Sequence, residues 1–168
     1  MIITKYNDLF IYDFEKEQEI RLTRQMRSKN PDWSKDGHKI TFVGETNGLN
    51  QLFVLYLEND FENENWQPYK IDLETGKLLK KSNNIEYIRT AEIRGGKLVQ
   101  VLSFENGRQI YHPRWSPDDS EIIFDTAEDY GRDIAVYNVK NKKYSILLSG
   151  KEELRYPIYH PTENAVYY

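Results

Sequence analysis

The side chains able to ligate a metal, move a proton or attack a carbonyl are few in this chain of 168 residues. The histidines are His38, His112 and His160, and none stands in a His-x-x-x-His or His-Glu spacing that would direct two ligands at one metal. His38 falls in a turn between strands and is expected to face solvent, whereas His112 and His160 flank strand-initiating prolines. Acidic residues gather at Glu58, Asp60, Glu62 and Glu64, and again at Asp125, Glu128 and Asp129. Calcium takes oxygen ligands from such loops, but the fixed glycine and terminal glutamate of an EF-hand are missing, so both groups read as solvated turns. No serine sits in a Gly-x-Ser-x-Gly elbow, and Arg94-Gly95-Gly96-Lys97 reads as a turn and not as a phosphate loop. The expectation is no catalytic site, no cofactor and no metal.

The elements that carry these residues are predicted to be strands. Aromatics make up 14% of the chain, with 13 tyrosines, and alanine is scarce. Aromatic side chains suit a pleated, half-buried surface, and the shortage of the best helix former points the same way. The net charge of −4 offers no basic face for a nucleic acid. The short basic runs Arg21 to Arg27, Lys77 to Lys81 and Lys140 to Lys143 fall at turns or outer strands, where Lys discourages edge pairing. With no cysteine there is no disulfide framework. Apolar runs fall far short of the roughly 20 residues of a membrane span. Met1-Ile2-Ile3-Thr4-Lys5 lacks the regions of a signal peptide, which leaves a cytoplasmic protein or a leader already removed.

Three segments align without gaps: Asn30 to Phe42, His112 to Phe124, and Tyr156 to Tyr168. In each, a proline precedes an aromatic by two positions (Trp33, Trp115, Tyr159), a turn follows, and apolar residues recur with a period of two. Those pairs are Ile40 and Phe42, Ile122 and Phe124, Val166 and Tyr168. This is hairpin chemistry followed by a strand with one buried face. Trp33 and Trp115 stand 82 positions apart, and Trp115 and Tyr159 stand 44 apart. If the longer interval holds two units, the period matches the roughly 40–45 residues of a four-stranded propeller blade.

On these residues the sequence resembles the PD40 repeats of TolB-like propellers, whose motif runs Pro-x-Trp-Ser-Pro-Asp-Gly. Trp33, Ser34, Asp36 and Gly37 match it, as do Trp115, Ser116, Pro117 and Asp118, while Asp119 replaces the glycine. Asp133 to Val139 reads as the third strand and Tyr144 to Ser149 as the outer strand, and Asp8 to Phe14 with Glu19 to Thr23 repeats that pair. The implied fold is all-β, a propeller region of about four blade-equivalents, as part of a six-bladed propeller or as a smaller closed ring. Residues 1–30 would form a partial blade, 31–111 one elaborated or two degenerate blades, 112–155 a blade and 156–168 a partial blade. In the loose stretch, Tyr69 to Leu73 and Leu78 to Lys81 read as a strand pair. Ile85 to Ile93 and Lys97 to Ser103 read as a further hairpin.

In such a fold the loops entering the inner strands gather on one face around the channel. They hold Arg27, Lys29 and Asn30; Arg108, Tyr111 and His112; and Arg155 and Tyr156. Arg and Tyr are interface anchors, so this face is expected to take a protein or peptide partner. Trp33 and Trp115 are expected to pack between neighbouring blades. The resemblance implies a non-catalytic interaction scaffold of the periplasm or cell envelope. Two other functions fit: the propeller of a prolyl-oligopeptidase-type serine peptidase whose catalytic domain lies elsewhere, or a subunit whose open edges another chain completes.

Overall fold

The computed structural model of the chain describes residues 1–46, 48–58, 65–79, 88–104, 106–127 and 131–168. Among these, every regular element is a β-strand and every pairing of named strands is antiparallel. Strands β1 (Ile2–Lys5), β2 (Asp8–Asp13) and β3 (Gln18–Arg21) make a three-stranded meander. After the short β4 (Thr23–Arg24), a second meander runs through β5 (Ser28–Trp33), β6 (Lys39–Thr46) and β7 (Leu49–Leu57). The chain then leaves it as β8 (Trp66–Asp72), β9 (Leu78–Leu79) and β10 (Ile88–Arg94), which with β4 form a sheet ordered β4-β10-β8-β9. β11 (Gly96–Leu102) returns to pair with β7, completing a four-stranded sheet ordered β5-β6-β7-β11. Next comes an uninterrupted four-stranded meander of β12 (Gln109–Trp115), β13 (Glu121–Ala127), β14 (Arg132–Asn138) and β15 (Lys143–Leu148). The last element is the hairpin of β16 (Ile158–Tyr159) and β17 (Val166–Tyr167).

The hairpin expected from Ile85 to Ser103 does not form. β10 pairs with β8 and β4, and β11 pairs with β7, so the two strands belong to different sheets. Gly95 and Gly96 carry the chain from one sheet to the other. The outer part of the first acidic loop (Asp60, Glu62, Glu64), the pair Glu128 and Asp129, and Lys80, Lys81 and Ile85 lie outside the described residues.

Period-two alternation explains why β6 and β7 sit at the centre. Ile40, Phe42, Phe53 and Leu55, with Leu98 of β11 in the same sheet, face one apolar cluster, shared with Leu9, Ile71 and Ile93 from the neighbouring sheets and Leu22 and Met26 from the connections flanking β4. Val43, Leu52 and Val54 face the opposite cluster, with Trp115, Ile122, Phe124, Ala135 and Tyr137. Register makes these residues cross-strand pairs: Ile40 opposite Leu55, Phe42 opposite Phe53, Val43 opposite Leu52. The Phe42 and Phe53 rings stack with centroids 5.6 Å apart. A sheet apolar on both faces must be covered on both, so β5-β6-β7-β11 is the middle layer between two others. Burial falls off toward β15, all six of whose residues are exposed.

The two signature turns are built alike. Ser34 Oγ donates to Asp36 (2.6 Å) and accepts the Lys39 N–H (2.9 Å); Ser116 Oγ donates to Asp118 (2.7 Å) and accepts the Glu121 N–H (2.9 Å). Four positions after each tryptophan the backbone enters the left-handed region, at Gly37 (φ 73°) and at Asp119 (φ 59°). Three positions before each signature aromatic it does so again, at Asn30 (φ 49°), His112 (φ 46°) and Tyr156 (φ 56°). The β5–β6 register slips between Lys29 and Asp32, and the β12–β13 register between Tyr111 and Arg114. At Asn30 and His112 the left-handed residues are therefore bulges, which twist the strand and re-aim side chains.

Candidate functional site

Of the residues expected where inner strands begin, Tyr111, His112 and Tyr156 meet around a carboxylate absent from that expected set. Asp125 lies on β13, where the strand pairing sets it opposite Tyr111 of β12 and Ile134 of β14. Its side chain is fully buried, which contradicts its reading as a solvated turn acid. The His112 bulge brings the imidazole Nδ1 to 2.7 Å from Asp125 Oδ1. Arg132, at the start of β14, donates to Oδ2 at 2.6 Å, and the Tyr156 backbone N–H donates to Oδ1 at 3.3 Å. Three donors on one buried carboxylate satisfy its charge where water cannot.

A carboxylate only accepts, so His112 Nδ1 carries the proton and Nε2 is the ring's other edge. Tyr156 packs on the imidazole with centroids 4.0 Å apart, and the Tyr111 ring lies 4.1 Å from the Arg132 guanidinium carbon. Arg108 reaches Asp133 at 3.1 Å, at the same end of the sheet. Among the described residues no hydroxyl or thiol nucleophile contacts His112, and no group of three or more His, Cys, Asp or Glu side chains could hold a metal. This arrangement fixes the path of the chain into β16 and presents an aromatic-cationic rim. His38 is exposed, and His160 Nδ1 accepts the Thr162 and Glu163 N–H groups, capping a turn.

The loop into β5 is held by the same device. Asp8, 2% exposed, accepts the Met26 N–H (3.0 Å), the Gln25 N–H (3.2 Å), the Thr23 hydroxyl (3.0 Å) and Arg21 (2.6 Å). Beyond that anchor, Arg27 is exposed and lies 4.0 Å from Glu45, which also binds Lys29, and Asn30 takes up the bulge. Of the expected rim, the structure joins Tyr111, His112 and Tyr156 into one contact set, with Arg108 beside them. Arg27, Arg155 and Tyr156 remain exposed, Arg155 pairing with the exposed Glu153. Arg108 and Tyr111 are half-buried and tied into the sheet. Asp8, Asp125 and Arg132 were missed; the one signal for Asp125 was a charge two positions after Ile123, inside the apolar run of a strand.

Trp115 is buried in the second cluster, and Trp33 packs half-buried against the first. Desolvation raises the Asp32 carboxyl above its ordinary value, although it accepts the Trp115 N–H at 2.8 Å. Burial, then the charge of Glu121 and the hydrogen bond to it, push the Tyr159 hydroxyl far up.

No family model matches the sequence, and no curated protein matches it. Among solved structures, TolB from Acinetobacter baumannii aligns over 89% of this chain at 16% identity, with a TM-score of 0.31. The chain spans 39% of the length of that TolB chain.

Proposed function

We propose that this chain is a region of β-propeller that works as a non-catalytic binding module, taking a protein or peptide partner on the rim where its inner strands begin. The observation that carries the reading is the recurrence of a left-handed residue three positions before each signature aromatic, at Asn30, His112 and Tyr156, which at Asn30 and His112 makes a bulge in the strand pairing. A repeated bulge at the head of successive strands presents a repeated set of side chains in one direction. Arg27, Arg155 and Tyr156 supply exposed Arg and Tyr there, the types that anchor interfaces. His112 is engaged by Asp125 and covered by Tyr156, which suits an anchoring role better than proton transfer.

The test uses the exposed rim alone, because Arg108 and Tyr111 serve the fold. The tagged chain and its Arg27→Ala/Arg155→Ala variant, which spares the Tyr156 ring packed on His112, are compared by cross-linking capture from the source cell. The expected result is a discrete cross-linked partner lost in the variant at unchanged Tm. Equal capture by both proteins overturns the reading.

A further inference from the structure

The outer strands of the larger sheets are finished in different ways. β3 carries Gln18, Glu19 and Arg21, polar and charged side chains that discourage pairing with another chain. β9 is only two residues long. β11 is tied into the sheet beside it: Tyr69 Oη accepts its Leu98 N–H at 3.2 Å, and the Gln100 side chain bonds the Leu78 N–H and the Gly76 carbonyl.

β15 has none of these devices. All six of its residues are exposed, and Tyr144, Ile146, Leu147 and Leu148 lie between 36% and 50% exposed. It pairs with β14 alone, and among the described residues no backbone hydrogen bond joins residues 144–148 to any other element. The β14–β15 register slips beyond Ile146, where Leu147 bulges out, so residues 143–146 keep a regular edge. No charge interrupts residues 144–148; the nearest lysines, Lys140, Lys142 and Lys143, all stand at one end. An uncapped apolar edge of this kind is a template for another strand.

We infer that β15 is a self-association edge, which pairs antiparallel with β15 of a second copy about a two-fold axis through Ser145. In that register Tyr144 lies opposite Ile146 of the second copy, on the sheet face that carries Ala135 and Tyr137. Aromatic and β-branched side chains form favourable cross-strand pairs. Antiparallel pairing also sends the two lysine clusters to opposite ends, whereas parallel pairing would stack them. An isologous contact buries both apolar edges at once and closes after two copies. Pairing β15 with β3 of another copy would instead set an apolar edge against Glu19 and Arg21. The edge lies across the sheet from β12, where the rim sits, so the two surfaces are independent.

Sedimentation velocity on the whole chain over a dilution series should show a monomer–dimer equilibrium, the heavier species at twice the 20.0 kDa of the chain. Ile146→Lys/Leu147→Lys should weaken the dimer about tenfold or more at unchanged Tm. Leu147→Lys alone, at the bulged residue, gives the same test should the double variant misfold. The register is read separately. The chain has no cysteine, so Ser145→Cys should yield a disulfide-linked dimer under a mild oxidant, while Lys140→Cys should not. The Arg27→Ala/Arg155→Ala variant should dimerise as the parent does. A monomer at every concentration, whatever else then occupies the edge, overturns the inference. So do an undiminished dimer in a folded lysine variant, species larger than the dimer, or equal cross-linking at both cysteine positions.

Discussion

Aspartate is the residue on which this chain's connections turn, and burial decides what each one does. Asp125 and Asp8 are buried and satisfied by several donors, so they fix backbone paths. Asp36 and Asp118 sit in exposed turns, where serine hydroxyls, a backbone N–H and, for Asp36, Lys39 favour the charged form. Asp118 is lowered to about 2, chiefly by the Ser116 and Ser120 hydroxyls. Their contribution to stability is present above the unfolded carboxylate range near 3.8 and is lost as pH falls through the lowered values. Asp32 has the opposite sign, because burial raises it more than the Trp115 N–H and Arg114 lower it. Its charge therefore opposes folding at neutral pH, and protonation relieves that opposition as pH falls through its raised value. Asp32→Asn keeps a carbonyl oxygen for the Trp115 N–H and removes the charge. The urea midpoint of the variant should exceed that of the parent at pH 7, and the gap should close as pH falls toward 3.8, the ordinary carboxyl value. An equal or lower midpoint at pH 7 would show that the Arg114 attraction outweighs desolvation.

At the scale of elements, β11 is the strand whose place depends on one residue. Gly96 begins it opposite Leu57, and a Cβ there would run into the Tyr56 carbonyl oxygen of β7 and crowd Leu55. The clash is with backbone, which cannot rotate away. Gly96→Ala should thus lower stability by about 2 kcal/mol or more, with faster amide exchange along β11 than along β13. A variant within about 0.5 kcal/mol of the parent would mean that β11 can shift without cost. This strand also marks where the sequence stops being readable. The Trp33 and Trp115 turns were legible, because proline, serine, aspartate and glycine act within a few residues of themselves. The pairing of Tyr69–Leu73 with Leu78 was legible for the same reason, as a strand, turn and strand. Whether β10 and β11 pair with each other or with two other sheets is decided by β8, whose partners lie 16 to 28 positions back, and by β7, whose partners lie 39 to 50 back. Nothing local to Arg94-Gly95-Gly96-Lys97 records that choice. The rim residues were proposed because they lie in the loops that enter the inner strands, whereas Asp125 and Arg132 meet His112 only through register.

At the scale of the whole chain, the question is what fastens one repeat's sheet to the next beyond apolar contact. The middle sheet and the β12-to-β15 sheet share the second cluster, which is nondirectional and would tolerate sliding. Direction comes from two carboxylates acting across the boundary. Asp32 accepts the Trp115 N–H, and Asp119 accepts the Lys35 N–H at 2.7 Å and the Asp36 N–H at 3.1 Å, with Lys39 3.7 Å away. Asp119 thus accounts for the departure of the second turn from the first at its left-handed position: the backbone there needs a positive φ, which glycine supplies at Gly37, yet here a side chain is kept. Asp119→Gly should relieve up to about 1 kcal/mol of backbone strain. It also removes two charge-assisted bonds, each worth about 1.5 kcal/mol or more, from a side chain only 12% exposed. The balance is a net loss of about 2 kcal/mol or more, with faster exchange of the Lys35 and Asp36 amides and little change within β13 and β14. Asp119→Asn, which keeps an acceptor, should lose less. If Asp119→Gly is instead more stable than the parent, the carboxylate is not a fastener, and packing of Val43, Leu52 and Val54 against Trp115 and Phe124 must alone set how the repeats stack.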